Sequence, residues 1–139
     1  RTDPDLRERD AGEWSGLTRA LIHRDWPGYL PDDPIRREHP GDDGEMRRPP
    51  GWETDESLLA RALTAVHRLA EEVGDGEALA VSHGGLIYAV EHHRGEPWAR
   101  IPNLGARWLD VEPSGGLRLG PRLTLVDPHD VTVTIPDQI

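Results

Sequence analysis

The clearest pattern of apolar positions along the chain lies between residues 54 and 73. Apolar side chains recur there mostly three and four positions apart, at Leu58, Leu59, Ala62, Leu63, Val66, Leu69 and Val73. This spacing predicts an amphipathic helix over 54–73, which Gly74 is expected to end. A second helix is predicted over 85–93, with Gly95 following its end.

The segment between these two helices predicts a strand. Glu77–Ser82 has an apolar centre, which is typical of a buried strand. Further short strands with turns between them are predicted over 106–112, 116–119, 122–126 and 131–135. The order of helix, strand, helix and strands indicates an α/β sandwich in a single domain over 1–139.

The first third of the chain has a weaker pattern. Ser15 is expected to cap a short helix through Leu17, Leu21 and Ile22 that ends near Trp26. The segment 27–51 is rich in proline, glycine and charge, and it predicts a long surface loop or lid.

Composition narrows the classes of function. The 139 residues suit one domain, and an apolar fraction of 35% leaves its core thin. No apolar run is long enough to span a membrane. The absence of cysteine excludes disulfides and thiolate metal sites and fits a cytoplasmic protein. The net charge of −10 argues against a nucleic-acid partner, because a phosphate backbone requires a basic face.

The segment Ser82-His83-Gly84-Gly85 carries the strongest chemical signal. It follows the predicted buried strand and precedes the predicted helix. Backbone N–H groups and the helix dipole converge at such a turn, which favours the binding of an anion such as phosphate. A simpler interpretation is that His83 only caps the turn.

This strand–turn–helix segment resembles the V-S-H-G-G segment of the histidine phosphatase superfamily, in its phosphoglycerate-mutase-like members. The resemblance implies a three-layer αβα sandwich with a mixed, mostly parallel sheet. It also implies that His83 hydrogen-bonds the transferred phosphoryl group and stabilises its charge, with Gly84 and Gly85 beside the substrate.

A second segment, Leu6-Arg7-Glu8-Arg9-Asp10-Ala11-Gly12-Glu13-Trp14-Ser15-Gly16, is similar to the L-x-E-x-x-x-G-x-W-x-G segment of the same family. The resemblance implies that Glu8 is the general acid. A carboxyl kept protonated beside a buried site would assist departure of an alkoxide from a phosphomonoester. Without this context, Glu8 would be one of 26 acidic residues on a solvated surface.

Three further residues are implied as substrate-binding. Gly51-Trp52-Glu53-Thr54, followed by Arg61, resembles a G-G-E-S segment and a later arginine of the family, and Glu53 would tie the helix start to the rim of the site. Asn103 follows the second helix and is expected in the pocket wall. Trp14 is expected to line the pocket near the acid, although tryptophans are core or rim residues by default.

The R-H-G motif that carries the family's nucleophilic histidine does not occur in this sequence. The only methionine is Met46 and the chain starts at Arg1, so we expect a truncated or incompletely recorded chain without its first strand–helix–strand unit. Two alternatives stay open. Either a second copy or a separate segment completes the sheet, or the protein has lost catalysis and only binds.

A different enzyme class is the main competing hypothesis. Ala80-Val81-Ser82-His83-Gly84 is close to the G-x-S-x-G nucleophile elbow of serine hydrolases, with Asp110 and His129 following in the order such a triad takes. No metal site is expected, since His92 and His93 point about 100° apart on a helix.

The resemblance therefore implies a phosphatase that acts on a small phosphomonoester through a phosphohistidine, without metal or organic cofactor. A phosphatase is favoured over a mutase because of the G-x-W-x-G form of the Glu8 segment. The substrate pocket would be formed by the loop over 31–50 and by residues outside this sequence.

Overall fold

The computed structural model describes residues 1–30 and 47–130. The centre of the loop predicted over 27–51 and the strand predicted over 131–135 lie outside these residues. The described elements are short 3-10 helices at Pro4–Leu6, Gly12–Trp14 and Pro128–Asp130, helices α1 (Arg19–Asp25), α2 (Asp55–Val73) and α3 (Gly84–His93), and strands β1 (Gly105–Val111) and β2 (Leu117–Thr124).

The described residues form two compact units. The first contains residues 1–9 and 54–130, and the second contains residues 10–30 and 47–53. The expectation of a single domain stays a prediction. Within the described ranges, no helix combines the length and the apolarity needed to cross a bilayer.

Helix α2 is the longest element of the first unit and confirms the predicted helix. The Thr54 hydroxyl accepts a hydrogen bond from the Ser57 amide at 3.1 Å and so caps the N-terminus. Asp55 and Glu56 lie in the first turn, where the helix dipole favours negative charge. Gly74 ends the helix with φ of 64°, a conformation that costs glycine little.

The core of the first unit lies between α2, α3 and the β1–β2 hairpin. Its buried residues are Leu58, Ala62, Leu86, Val90 and Leu117. Leu6 packs against this cluster from the 3-10 helix at Pro4–Leu6. The N-terminal segment is therefore anchored in the same core that positions α3.

The predicted strand over 106–112 is confirmed as β1. The two strands predicted over 116–119 and 122–126 form the single strand β2, which pairs antiparallel with β1. The register shifts between Arg107 and Leu109. Such an irregularity lets one strand run through a position where a break was predicted.

The strand predicted at Glu77–Ser82 is not formed. This segment has no regular secondary structure, and Leu79 and Val81 are 78% and 84% exposed. The apolar pattern was suited to a buried strand, but a strand also needs a hydrogen-bonded neighbour. None of the described residues pairs with this segment, whose side chains therefore stay in solvent.

The first unit thus combines two helices with a small antiparallel sheet, which is consistent with an α/β fold. Glu91 of α3 is buried, and its carboxylate accepts bonds of 2.8 and 2.5 Å from the Arg122 guanidinium of β2. These bonds raise the pKa of Arg122. They fix the C-terminal half of α3 against the hairpin.

The second unit is built around Trp14, which is fully buried. Its ring makes edge contacts with Trp26, Tyr29 and Trp52, with centroids 5.8 to 6.3 Å apart. Helix α1 is capped by Thr18, whose hydroxyl accepts from the Leu21 amide at 3.3 Å. The prediction of Ser15 as the cap was wrong, because the chain turns through a 3-10 helix at Gly12–Trp14 before α1 begins.

Candidate functional site

The first unit brings Glu8 and His83 together, although they are 75 positions apart in the sequence. Glu8 Oε2 lies 3.9 Å from His83 Nδ1. His83 is the N-cap residue of α3, but its side chain makes no capping hydrogen bond. The interpretation of His83 as a simple helix cap is therefore not supported.

Gly84 and Gly85 form the first turn of α3 beside this pair. The first amides of a helix have no partner within it and carry the positive end of its dipole. A Cβ atom on Gly85 would overlap Glu8 Oε1, so the carboxylate lies directly against the helix backbone. A Cβ atom on Gly84 would only touch the Tyr88 ring at 3.4 Å.

The backbone before Glu8 is held by side chains from elsewhere in the unit. Arg61 of α2 donates to the carbonyls of Asp5, Arg7 and Glu8 at 2.7, 2.8 and 3.1 Å. The Ser82 hydroxyl donates to the Leu6 carbonyl at 2.8 Å. Each carbonyl from residue 5 to residue 8 is thus bound by one of two side chains.

Ion pairs before and after these carbonyls also attach the N-terminal segment to α2. Arg68 donates to the carboxylates of Asp3 and Asp5 at 2.6 to 3.0 Å, and this lowers the pKa of Asp3. Arg9 pairs with Asp55, the first residue of α2, at 2.6 Å. The segment from residue 3 to residue 9 therefore runs along α2 toward its N-terminus.

Glu8 and His83 are more exposed to solvent than the sequence led us to expect. The side chains of Glu8 and His83 are 49% and 53% exposed. The buried site expected beside Glu8 is not formed by the described residues. One carboxylate oxygen of Glu8 accepts a hydrogen bond from the Arg9 amide at 2.8 Å, which leaves the other oxygen nearest to the imidazole.

The remaining predicted site residues lie in different places. Asn103 is exposed in the turn before β1, two residues after Ile101, which packs near Gly84. Trp14 and Glu53 belong to the second unit, where Trp14 forms the core and the Glu53 carboxylate accepts from the Asp10 amide at 3.1 Å. Substrate contacts by these three residues stay predictions.

The serine hydrolase hypothesis finds no support in the structure. The Ser82 hydroxyl donates to a backbone carbonyl, and Asp110 accepts from the Trp108 indole at 2.9 Å. A nucleophile elbow needs a strained backbone at the serine. Among the described residues, Leu104 is the only residue other than glycine with positive φ. Metal binding is a separate question: within residues 1–30 and 47–130, no cluster of three His, Asp or Glu side chains could hold a metal ion.

A known protein family matches most of this chain. Residues 1–113 match the sequence profile of the histidine phosphatase superfamily (branch 1). The chain belongs to this superfamily, whose chemistry is of the phosphatase and mutase type. No curated protein and no solved structure gave a significant match.

The resemblance predicted Glu8 and His83 as site residues, but sequence reasoning missed the side chains that hold the backbone near them. Arg61 lies three positions after buried Leu58 and four before buried Ala65, so it occupies the apolar stripe of α2. A charged residue at such a position needs partners, and that was the available signal. Nothing in the sequence indicated that Ser82 would bind the backbone near Glu8.

Proposed function

We propose that the protein is a phosphatase that hydrolyses small phosphomonoesters, with His83 and Glu8 in its active site. The observation that carries this proposal is the 3.9 Å approach of Glu8 to His83 at the N-terminus of α3, in a chain of this superfamily. One side chain can donate to a phosphoryl oxygen and the other can supply a proton. The helix end adds a field that favours an anion.

The proposed reaction has two steps. A nucleophilic histidine outside this sequence attacks phosphorus, a P–N bond forms and the P–O bond to the leaving group breaks. Glu8 in its protonated form gives its proton to the departing oxygen. Water then attacks the phosphohistidine, Glu8 takes up the proton, and inorganic phosphate leaves with the nucleophile restored. His83 stabilises charge on the phosphoryl oxygens in both steps.

The finer fold belongs to the same proposal. We propose a three-layer αβα sandwich in which Glu77–Ser82 joins a mostly parallel sheet. The exposed side chains of Leu79 and Val81 support this, since they would lie on one face of such a strand and a helix layer packed on that face would bury them. The missing strands come from a segment that carries the nucleophile or from a second copy of the chain. The sequence encoded before Arg1 tests this, and finding no R-H-G after a strand there would contradict the catalytic proposal.

The substrate class is a small phosphorylated metabolite, and neither nucleic acid nor membrane is proposed as a partner. The net charge of −10 disfavours polyanions. We propose hydrolysis rather than phosphoryl transfer to a second substrate, on the form of the Glu8 segment alone. A cytoplasmic location is proposed because the chain contains no cysteine.

The proposed role of Glu8 can be tested by changing the leaving group. The protein from its complete reading frame would be assayed with an alkyl phosphate and with p-nitrophenyl phosphate, as wild type and as Glu8→Gln. An alkoxide needs a proton to leave, whereas p-nitrophenolate does not. We expect kcat/KM for the alkyl ester to fall about 100-fold or more, with a much smaller loss for the aryl ester.

Glu13→Gln is the matched control, since Glu13 belongs to the same sequence segment and is exposed. It should leave both rates close to those of the wild type. An equal loss for both esters in Glu8→Gln would show that Glu8 does not act as the acid.

A further inference from the structure

Side chains bind the four consecutive carbonyl groups of residues 5–8, and residues 7–10 belong to no helix or strand. Three of these carbonyls accept from Arg61 and one from Ser82. Backbone without secondary structure is fixed only by such external partners. The conformation of the Glu8 segment therefore depends on Arg61 and Ser82, which bind its backbone carbonyls.

We propose that Arg61 and Ser82 are positioning residues that hold the Glu8 carboxyl against His83 and the first turn of α3. This inference rests on the proposed function for its consequence in catalysis, but the arrangement itself can be tested without activity. It gives Ser82 a role other than that of a nucleophile.

The geometry of Arg61 explains why an arginine stands at this position. Its Nη1 group reaches the carbonyls of residues 5 and 7, and its Nη2 group reaches that of residue 8. A planar guanidinium presents several N–H groups in a fixed fork, so one side chain can span these acceptors. A lysine ammonium is a single point of donation and would reach fewer of them.

Ser82 links the two candidate residues directly. It precedes His83 in the chain and binds the carbonyl two residues before Glu8. The Leu6 side chain packs in the core of the unit at the same place. The Ser82 hydrogen bond and the packing of Leu6 in the common core thus tie the Glu8 segment to the start of α3 and favour the approach of the carboxyl to the imidazole.

The test is the ¹H–¹³C resonance of the His83 ring in the protein from its complete reading frame, assigned with His83→Ala. Glu8→Gln removes the nearby carboxylate and should shift this resonance. Arg61→Gln and Ser82→Ala should shift it in the same direction, although Glu8 is still present. Adding Glu8→Gln to either variant should then produce little further change, because the carboxyl has already left.

Conservative and control variants separate positioning from general damage. Ser82→Thr keeps the hydroxyl and should restore the wild-type resonance, and Arg61→Lys should give an intermediate shift. Arg68→Gln removes another arginine of α2 that binds the same N-terminal segment, but at Asp3 and Asp5. It should leave the His83 resonance unchanged.

The proposal is overturned if Glu8→Gln shifts the resonance while Arg61→Gln and Ser82→Ala do not, or if Arg68→Gln shifts it equally. It is also overturned if Glu8→Gln has no effect. Should Arg61→Gln fail to fold, Ser82→Ala and its combination with Glu8→Gln decide. If the resonances behave as expected and the complete protein hydrolyses no phosphomonoester, the positioning stands and the proposed function falls.

Discussion

Gly85 leaves the space that the Glu8 carboxylate occupies. A Cβ atom at this position would overlap Glu8 Oε1, whereas one on Gly84 would make only ordinary contact with Tyr88. Of the two adjacent glycines in the first turn of α3, a side chain at Gly85 would therefore displace the Glu8 carboxylate, whereas one at Gly84 would not. Gly85 allows the candidate acid to approach the helix backbone beside His83.

Replacing Gly85 with alanine should displace the Glu8 carboxyl without unfolding the unit. The overlapping atom is the end of a flexible side chain, so the free energy of unfolding should change by less than about 1 kcal/mol. Gly84→Ala should leave Glu8 in place and stabilise α3 by about 0.5 to 1 kcal/mol. Crystal structures and urea unfolding of both variants would check this, and an unmoved Glu8 carboxyl in Gly85→Ala would refute it.

The buried Glu91 carboxylate should contribute more to stability than any exposed ion pair of the unit. It is 3% exposed and faces Arg122 and Arg107, so Glu91→Gln removes the counter-charge of Arg122 and one of the two carboxylates near Arg107, which also pairs with Glu96. We expect a loss of about 3 kcal/mol in the free energy of unfolding.

The matched control for Glu91 is an exposed pair on the same hairpin. Arg118 and Glu112 are 68% and 47% exposed at their side chains, and Arg118→Gln should cost about 0 to 1 kcal/mol. Urea unfolding followed by far-UV circular dichroism measures both variants. Equal losses would contradict the difference in burial.

The Asp3–Arg68 pair predicts that the free energy of unfolding decreases as the pH falls. Hydrogen bonding from Arg68 lowers the pKa of Asp3 below its ordinary value of 3.8. The folded state therefore binds fewer protons than the unfolded state near that pH, and stability falls as the pH falls. Arg68→Gln removes this contribution, so its stability should vary less with pH between about pH 5 and pH 2 than that of the wild type.

Unfolding in urea at a series of pH values would measure this slope. Arg94→Gln, which changes an exposed arginine at the end of α3, should keep the wild-type slope. A steeper fall in Arg68→Gln than in the wild type would contradict the assignment.

Local sequence patterns predicted the elements that are stabilised by interactions between residues close together in the chain. The spacing of apolar residues from Leu58 to Val73 predicted α2, and Gly74 predicted its end. Both signals depend only on residues within a few positions of one another. The apolar run around Leu79 and Val81 matched a strand equally well, but strand formation depends on a partner elsewhere. The pairing of Glu8 with His83 came from resemblance, and the bonds of Arg61 to the backbone required the structure.

The central claim is tested most directly by replacing His83 and, as a control, His92. Both variants are made in the protein from its complete reading frame, and their phosphatase activities are compared. His92 is exposed in the last turn of the helix, whereas His83 caps its start. With p-nitrophenyl phosphate, His83→Ala should lower kcat/KM about 100-fold or more, and His92→Ala should leave it unchanged. Wild-type rates in His83→Ala would contradict the assignment of this site.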